Sequence, residues 1–225
     1  MFEAVILAGG FGTRLKEVSG ELPKPMVDVG GKPFLYRLMQ RLEYFGCHRI
    51  VLSLGYRADY VIERIEGDTP VRCDVDYVVE KDAMGTGGAI KLSASAVRSE
   101  KFLVLNGDSY SDIDYSEFFQ ASDRADLLIS GVYVPDVTRY GTLDISDDGQ
   151  VERLVEKGRS GAGIINSGIY VVRTSEILSF PKKIFSFEQD FVQGFGGSFY
   201  AYVTDGYFVD IGIPDDYYAA CEKFS

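Results

Sequence analysis

The chain of 225 residues carries 34 acidic and 23 basic residues, a net charge of −11 at pH 7, and 46% of its residues are hydrophobic. This charge argues against a nucleic-acid or anionic-membrane partner, because long-range repulsion opposes the encounter, while the apolar fraction suffices for a sizeable core. Three cysteines without metal-ligand spacing predict reduced thiols, and the lack of a signal-like start or of ~20 consecutive apolar residues favours a cytoplasmic location.

Strand-like and helix-like patterns alternate through the first half of the chain. Apolar runs rich in β-branched residues, as expected of strands covered on both faces, occur at residues 5–7, 50–54, 75–79 and 102–105. Apolar residues at helical spacing between positions 34 and 45 end at Gly46, and a weaker helical pattern from position 60 ends before Gly67. This alternation predicts βαβ units and a mostly parallel sheet flanked by helices.

The second half is predicted to add antiparallel strands. The segment YGTLDISDDGQVERLVEK predicts a hairpin around Asp148 and Gly149, and GSFYAYVTDGYFVDI predicts another around Asp205 and Gly206. A last helix is expected near residues 215–223. Because no repeat, low-complexity tract or linker interrupts the chain, we interpret it as a single α/β domain with a mixed, mostly parallel sheet and antiparallel hairpins in its second half.

The stretch LAGGFGTRLKEVSGELPKPM at residues 7–26 combines four glycines with three cations. It lacks the lysine followed by serine or threonine of a Walker loop, and Leu15 stands where the dinucleotide fingerprint needs its third glycine. Glycines after a first strand let backbone N–H groups approach an anion, a following helical turn adds its positive end, and Arg14 and Lys24 add charge. The stretch favours a nucleoside triphosphate site, the alternative being a tight turn with solvated cations.

Seven motifs in order make the chain resemble the sugar-1-phosphate nucleotidyltransferases, which join a nucleoside triphosphate to a sugar 1-phosphate and release pyrophosphate. The motifs are LAGGFGTRL with PKPM, EKDAMGTGGAI (80–90), NGD (106–108), EK (156–157), INSGIY (165–170), FEQD (187–190) and VDIGIPDDY (209–217). The resemblance implies one Rossmann-like nucleotidyltransferase domain over residues 1–225, with a nucleotide-binding part at about 1–112 and a sugar-phosphate-binding part at about 113–225. It also implies direct displacement without a nucleophilic side chain, so His48 is expected to be a surface or packing residue.

Two aspartates are the candidate ligands of Mg²⁺, the cofactor that the resemblance implies. Asp108 follows the apolar run FLVL, so we expect it at the carboxyl edge of the sheet, where open α/β folds bind ligands. Asp210 follows another strand-like run. Mg²⁺ is typically held by one or two carboxylates together with substrate phosphates, and in the family the matching pair holds the metal against the α-phosphate. The alternative for either residue is a turn or capping aspartate.

The triphosphate is expected to lie on the glycine-rich loop. The predicted nucleotide contacts are Leu7, Ala8, Gly9, Gly10, Gly12, Thr13, Glu80, Gly85, Thr86 and Gly107. Arg14 is predicted at the β- and γ-phosphates, because an arginine can contact phosphate in a bidentate way, and Lys24 nearer the α-phosphate and the reaction centre. The predicted catalytic residues are Arg14, Lys24, Asp108 and Asp210.

Glu80, which follows the strand-like VDYVV, is the predicted base-reading residue. A carboxylate only accepts hydrogen bonds, and guanine offers two adjacent donors, whereas uracil and thymine flank a single N–H with carbonyls. If Glu80 faces the base, GTP is preferred, by ~1 to 3 kcal/mol per well-made pair. Gly85 and Gly87 would let the backbone approach the base and ribose, with a helix starting near Gly88; the alternative for Glu80 is a surface glutamate.

The acceptor is expected to bind in the second half of the chain. The resemblance assigns its sugar-phosphate contacts to Glu156, Lys157, Asn166, Gly168, Glu188 and Asp190. Lys157 would be the cation for the acceptor's phosphate, and without the resemblance it would be interpreted as a solvated hairpin lysine. Asparagine both donates and accepts hydrogen bonds and glutamate accepts two, which suits a polyol.

Within the family, the compact length, the segment EKDAMGTGGAI and the lack of a carboxy-terminal extension resemble the bacterial guanylyltransferases for D-glycero-α-D-manno-heptose 1-phosphate, which implies GTP and that sugar phosphate as substrates. Mannose 1-phosphate is the rival acceptor, because a pocket discriminates one methylene-sized group only about 10- to 200-fold. A uridylyltransferase stays open if Glu80 does not touch the base, and a nucleotide-sugar sensor is the alternative that is not an enzyme. The numerous aromatic residues leave both a monomer and a homodimer open.

Overall fold

The computed structural model describes residues 1–10, 12, 15–155 and 157–225. Within these residues the strands are β1 (Phe2–Leu7), β2 (Asp28–Val29), β3 (Lys32–Pro33), β4 (Cys47–Leu54), β5 (Asp74–Val79), β6 (Lys101–Asn106), β7 (Ser109–Ser111), β8 (Leu127–Val134), β9 (Thr142–Ile145), β10 (Val151–Val155), β11 (Gly163–Arg173), β12 (Phe199–Thr204) and β13 (Phe208–Asp210). The helices are α1 (Lys16–Ser19), α2 (Phe34–Tyr44), α3 (Ala58–Gly67), α4 (Gly85–Ala94), α5 (Tyr115–Ala121), α6 (Thr174–Ser179) and α7 (Pro214–Phe224). Short 3₁₀ turns at Lys24–Met26 and Ser122–Arg124 and a π-helix at Phe187–Val192 complete the list.

A nine-stranded mixed sheet forms the centre of the fold. Its first half is parallel, in the order β5, β4, β1, β6. Strand β11 pairs antiparallel with β6, and it also pairs antiparallel with β8 and β9. Strand β10 lies at the edge of the sheet beside β9. This confirms the predicted α/β class and the hairpin around Asp148 and Gly149, which joins β9 to β10.

Both faces of the parallel half are covered, as the continuous apolar runs indicate. Ile6 and Leu52 point to the face on which Leu38 of α2 packs, while Val5 points to the opposite face, with Ile90 of α4. All of these side chains are fully buried, and each contributes about 1.5 to 3 kcal/mol relative to exposure. No helix in the described part of the chain is long and apolar enough to cross a membrane.

The second predicted hairpin, around Asp205 and Gly206, is wrong. Strand β12 pairs in parallel with β8, and β13 pairs antiparallel with β7, so the two segments join different sheets. The turn between them is fixed by the Asp112 N–H, which donates to the Tyr207 carbonyl at 2.8 Å. The alternating pattern correctly predicted β12 and β13 as strands. Each of them pairs with a strand distant in the sequence instead of with the other.

The strand order places three chain segments at one edge of the sheet. Strands β4 and β6 lie on opposite sides of β1, so the chain reverses its direction of winding between β1 and β6, and ligands bind at such a point in open α/β sheets. The glycine-rich loop follows β1 and the NGD segment ends β6. The β7–β13 ribbon places Asp210 opposite Ser109. The sheet thereby brings the predicted metal ligands to one place.

Candidate active site

A cavity of about 420 Å³, here called the glycine cavity, opens at the carboxyl ends of β1 and β6. Eight of the predicted nucleotide contacts line it, namely Leu7, Gly9, Gly10, Gly12, Glu80, Gly85, Thr86 and Gly107. The sequence did not single out Pro25, Ser53, Ala83, Ala89, Asn106 and Gly212, which also line it. Asn106 belongs to the motif NGD and Gly212 to the motif VDIG, so both could have been predicted from their position beside Asp108 and Asp210.

At two positions in the wall of the glycine cavity, neighbouring atoms lie so close to the backbone that only glycine fits. A Cβ on Gly107 would lie 2.5 Å from the Leu7 carbonyl oxygen, and a Cβ on Gly9 would lie 2.7 Å from Glu80 Oε1. Either contact is far inside van der Waals distance, so a side chain at these positions would displace the wall of the cavity.

Ala8 is a predicted nucleotide contact that lies outside the glycine cavity. Ala8 does not line the cavity, because its side chain is buried in the core and its N–H donates to the Ser53 carbonyl at 2.8 Å. Its assignment as a nucleotide contact stays a prediction. Thr13 and Arg14 lie outside the described residues.

The helix after Glu80 starts three residues earlier than expected. It begins at Gly85 rather than near Gly88. Gly87 packs under Phe185, whose ring would lie 2.2 Å from a Cβ at that position, and it does not line the glycine cavity. Thr86 lines the cavity while its Oγ1 accepts a hydrogen bond from the Phe187 N–H at 2.9 Å.

Lys24 joins the two predicted metal ligands. Its Nζ donates to Asp108 Oδ2 at 2.6 Å and lies 3.7 Å from Asp210 Oδ1. The lysine side chain is only 10% exposed, whereas the Asp108 and Asp210 side chains are 38% and 35% exposed. Asp210 Oδ1 also accepts a hydrogen bond from the Gly212 N–H at 2.7 Å. Two carboxylates therefore converge on one cation at the wall of the glycine cavity.

Glu80 is held at the wall of the same cavity, directly after β5. Its N–H donates to the Leu54 carbonyl at 2.9 Å, which extends the pairing of β5 with β4 by one residue. Its Oε2 accepts a hydrogen bond from the Met84 N–H at 3.2 Å, just before α4. Its Oε1 lies beside the backbone of Gly9 and Gly55. The carboxylate is thus oriented by the backbone rather than left on the open surface.

A second cavity, of about 450 Å³ and here called the polar cavity, adjoins the first. Asn106 and Asp108 line both cavities. Of the predicted residues, Lys157, Asn166, Gly168, Glu188 and Asp210 line the polar cavity. The polar cavity is also lined by residues that no sequence pattern indicated, namely Ser109, Arg139, Tyr140, Gly141, Leu154, Val155, Ser167, Gln193 and Phe208. Arg139 and Tyr140 belong to a turn whose sequence carries no chemical pattern.

Three side chains form a hydrogen-bonded cluster on one wall of the polar cavity. Asn166 Nδ2 donates to Tyr170 Oη at 2.7 Å and to Glu188 Oε1 at 3.0 Å, and Tyr170 Oη donates to the same Glu188 oxygen at 2.8 Å. Burial, with the nearby Glu188 carboxylate, raises the pKa of the Tyr170 hydroxyl well above its ordinary value, so it stays a donor. Glu188 is therefore fixed in one orientation, with Oε2 not engaged in this cluster.

Asp190, another predicted acceptor contact, is engaged by Lys182 and by the start of its own helix. It does not line the polar cavity; it pairs with Lys182, and its Oδ2 accepts a hydrogen bond from the Ser186 N–H at 2.8 Å. The hydrogen bond from Lys182, with that from Ser186, lowers the pKa of this carboxyl. Ser186 Oγ accepts a hydrogen bond from the Gln189 N–H. Ser186 and Asp190 therefore cap the amino end of the π-helix together. Glu156, the remaining predicted contact, lies outside the described residues.

The candidate active site therefore consists of two adjoining cavities. Comparison with known proteins identifies the family of the chain. A family model described as nucleotidyl transferase matches residues 3–225. The chain belongs to the nucleotidyl transferase family. The two cavities share Asn106 and Asp108, so they could hold two ligands side by side.

Relatives in the nucleotidyl transferase family match nearly the whole chain. The D-glycero-alpha-D-manno-heptose 1-phosphate guanylyltransferase of Aneurinibacillus thermoaerophilus is 39% identical over an alignment of 221 residues, and the match covers 96% of this chain and 95% of the relative. The mannose-1-phosphate guanylyltransferase of Mycobacterium tuberculosis is 32% identical over 96% of this chain but only 62% of its own length. The crystal structure of HddC from Yersinia pseudotuberculosis superposes with a TM-score of 0.94 at 56% identity, covering 100% of both chains, and that protein has also been solved complexed with GMP-PN.

Proposed function

We propose that the chain transfers GMP from GTP to D-glycero-α-D-manno-heptose 1-phosphate in the cytoplasm, releasing pyrophosphate and forming GDP-heptose for bacterial surface polysaccharide. One observation carries the proposal: two cavities meet at Asp108, where Lys24 and Asp210 also converge. The guanylyltransferase names of the relatives support the substrates.

The glycine cavity is the proposed site of GTP. Its backbone at Gly9, Gly10 and Gly12 would receive the triphosphate, because bare N–H groups can approach an anion closely. Glu80 would accept the guanine N1–H and N2 amino hydrogens, since its carboxylate is held on the cavity wall and can only accept hydrogen bonds. With these assignments, the residue 1–112 part of the domain would supply the contacts to the triphosphate and the base.

The polar cavity is the proposed site of the acceptor, in the residue 113–225 part. Asn166 and Glu188 would bind sugar hydroxyls through the cluster that orients them, with Lys157 close to the phosphate. An acceptor phosphate beside Asp108 would lie next to the α-phosphate of a nucleotide in the glycine cavity. Heptose and mannose share the same ring, so the 32% identical mannose-1-phosphate guanylyltransferase makes mannose 1-phosphate the second candidate acceptor.

Transfer is proposed to be a single displacement. An oxygen of the acceptor phosphate attacks the α-phosphorus of GTP, the bond from that phosphorus to the bridging oxygen breaks in line, and pyrophosphate takes the electron pair. Lys24 would stabilise the charge that develops on the α-phosphate, being almost buried and close to the reaction centre. No protein nucleophile is needed, and His48 is exposed on the surface, as expected.

Asp108 and Asp210 fit a magnesium ion. Their carboxylates already converge on a cation, the ammonium of Lys24, and both are partly open to solvent. Among the described residues no group of three or more histidine, cysteine or acidic side chains could hold a metal by itself, which agrees with an ion that completes its coordination with phosphate oxygens. Bound there, Mg²⁺ would supply charge stabilisation at the α-phosphate.

Pyrophosphate release tests the proposal across a panel of GTP, UTP, ATP and CTP, each with heptose, mannose and glucose 1-phosphates. We expect turnover with GTP and the heptose phosphate to exceed every other pair in kcat/KM. A preference for UTP would contradict the role given to Glu80. Measurable GTP binding without turnover of any pair would favour a nucleotide-sugar sensor.

A further inference from the structure

The polar cavity contains an arginine, Arg139, that belongs to none of the sequence motifs. We propose that Arg139 binds the phosphate of the acceptor and that Asp216 of α7 is its positioning residue; this inference rests on the proposed function. Arg139 lies in the turn between β8 and β9 and lines the polar cavity together with Asp108 and Asp210.

Arg139 is oriented by two partners that hold the same nitrogen. Its Nη2 donates to Tyr140 Oη at 2.9 Å and pairs with the Asp216 carboxylate. Within the described residues no hydrogen-bond partner is assigned to Nη1 or Nε, and the side chain is 47% exposed. The guanidinium is thus fixed at one corner, while its other donors are available to a ligand in the cavity.

The surroundings of Arg139 tie it to the reaction centre. The Tyr140 ring packs edge-on against Phe208 at 5.6 Å between centroids, and Phe208 begins the short strand that ends in Asp210. Asp216 lies in the first turn of α7, only a few residues beyond Gly212, which lines the glycine cavity. The turn and the helix therefore hold Arg139 against the segment that carries a proposed metal ligand.

The charge in the polar cavity calls for a second cation. Among the residues that line it, Asp108, Asp210 and Glu188 are acidic, and Lys157 and Arg139 are basic. A sugar 1-phosphate brings about two further negative charges at neutral pH. Lys157 is an exposed point charge, whereas a guanidinium can contact two phosphate oxygens at once, so Arg139 supplies the directional contact.

The binding test uses the protein loaded with Mg²⁺ and a GTP analogue whose α–β bridging oxygen is replaced by a methylene group, so that no transfer occurs. Calorimetry then gives the Kd of heptose 1-phosphate and of mannose 1-phosphate. We expect Arg139→Met to weaken binding of the sugar phosphate about 10- to 100-fold, Arg139→Lys to weaken it less, and Asp216→Asn to weaken it less than Arg139→Met. The Kd of the GTP analogue should change less than about twofold in each variant.

The matched control is Arg173→Met. Arg173 Nε donates to Asp126 Oδ1 at 3.0 Å, and both side chains are about 40% exposed, so the variant loses a similar ion pair outside the two cavities. It should leave the sugar-phosphate Kd unchanged. Equal sugar-phosphate Kd values for Arg139→Met, Arg139→Lys and the unsubstituted protein would overturn the role of Arg139 alone. Failure of the unsubstituted protein to bind either sugar phosphate while binding the analogue would overturn both this inference and the proposed acceptor.

Discussion

Lys24 occupies the point at which two carboxylates converge, and this arrangement has a consequence for metal binding. An ammonium 2.6 Å from Asp108 and 3.7 Å from Asp210 neutralises the same oxygens that a divalent cation would use. Without a triphosphate, a metal ion must displace that ammonium. With a triphosphate present, the ammonium has phosphate oxygens as alternative partners.

We therefore predict that Lys24→Met raises the affinity for Mn²⁺ in the absence of nucleotide. Removing the competing ammonium should tighten binding by about 10-fold or more, on the scale of one close charge interaction near a protein surface. The free Mn²⁺ signal in electron paramagnetic resonance measures this directly. The combined change Lys24→Met with Asp108→Asn is the control and should bind Mn²⁺ weakly. Equal Mn²⁺ affinity of Lys24→Met and the unsubstituted protein would contradict the competition.

Glu80 determines the choice of base in the proposed function. Glu80→Gln replaces one acceptor oxygen with a donor, which would face a guanine N–H unfavourably, while uracil loses nothing by the change. The ratio of kcat/KM for GTP to that for UTP should fall about 10- to 100-fold. Glu63→Gln, an exposed glutamate of α3, is the control. An unchanged ratio for Glu80→Gln would remove the argument for guanine.

Strand β11 contains a bulge at the wall of the polar cavity. Its pairing with β8 shifts between Asn166 and Tyr170, and Gly168 has φ of 76° there. A Cβ on Gly168 would lie 2.3 Å from Asn106 Nδ2. The bulge therefore lets Asn106, which lines both cavities, sit against the backbone of β11.

Gly168→Ala should disturb both the strand and the site. Left-handed strain and the clash with Asn106 together predict a loss of about 1 to 3 kcal/mol in the free energy of unfolding, measured with urea. The variant should also raise KM for the sugar phosphate, because Asn106 and Asn166 would shift. Gly161→Ala, a loop glycine with φ of 87° and no atom within 4 Å of its Cβ position, carries the strain without the clash and should keep KM unchanged. A Gly168→Ala protein as stable as Gly161→Ala, with unchanged KM, would contradict this view of the bulge.

The sequence predicted elements better than their partners. The helix at Phe34–Tyr44 and the hairpin at Asp148 and Gly149 follow from local periodicity and turn chemistry, and both are present. The pairing of β12 with β8 depends on a strand about 70 residues earlier, whose open edge no local pattern reveals. The hydrogen bond of Asp190 at the start of its helix could not be predicted, because an aspartate that caps a helix and one that binds a hydroxyl are the same residue type in the sequence.

Glu3 of β1 links the amino ends of neighbouring strands in the central sheet, because it contacts Arg49 of β4 and the segment that precedes β6. Its side chain is nearly fully buried, with Oε1 3.2 Å from Arg49 Nη1 of β4, while Oε2 accepts from the N–H groups of Arg98 and Ser99 at 2.7 Å. Arg49 also donates to Asp76 of β5 at 2.6 Å. Burial acts to raise the pKa of Glu3, but hydrogen bonds from Ser99, Arg98 and Arg49 outweigh it and lower the pKa below its ordinary 4.5.

This network predicts an acid-sensitive contribution to stability. Because the folded-state pKa is lowered, the contribution of Glu3 is present above about pH 4.5 and is lost as the pH falls through the lowered value. Glu3→Gln, which resembles the protonated carboxyl, should cost about 2 to 4 kcal/mol at pH 7 and progressively less below about pH 4.5. Urea unfolding at several pH values from 7 to 3.5 measures the difference between the two proteins. A difference that stays constant over this range would contradict the assignment.

The candidate site was predictable in its components and not in its geometry. Asp108 could be placed because it follows a buried strand, and Lys24 because PKPM stands after the glycine loop. The contact of Lys24 with both aspartates could not be predicted, since it depends on how three distant segments meet at one sheet edge. Arg139 carried no signal at all, because only the fold places that turn beside Asp210.

In the proposed function, GMP passes directly between ligands held in two adjoining cavities. The stereochemistry at the α-phosphorus tests this transfer, using the acceptor sugar phosphate and GTP that carries one sulfur of known configuration at that phosphorus. A single in-line displacement predicts a nucleotide-sugar product with inverted configuration, assigned by phosphorus NMR. Retention of configuration would contradict the claim, because it requires two displacements and hence a covalent intermediate on the protein.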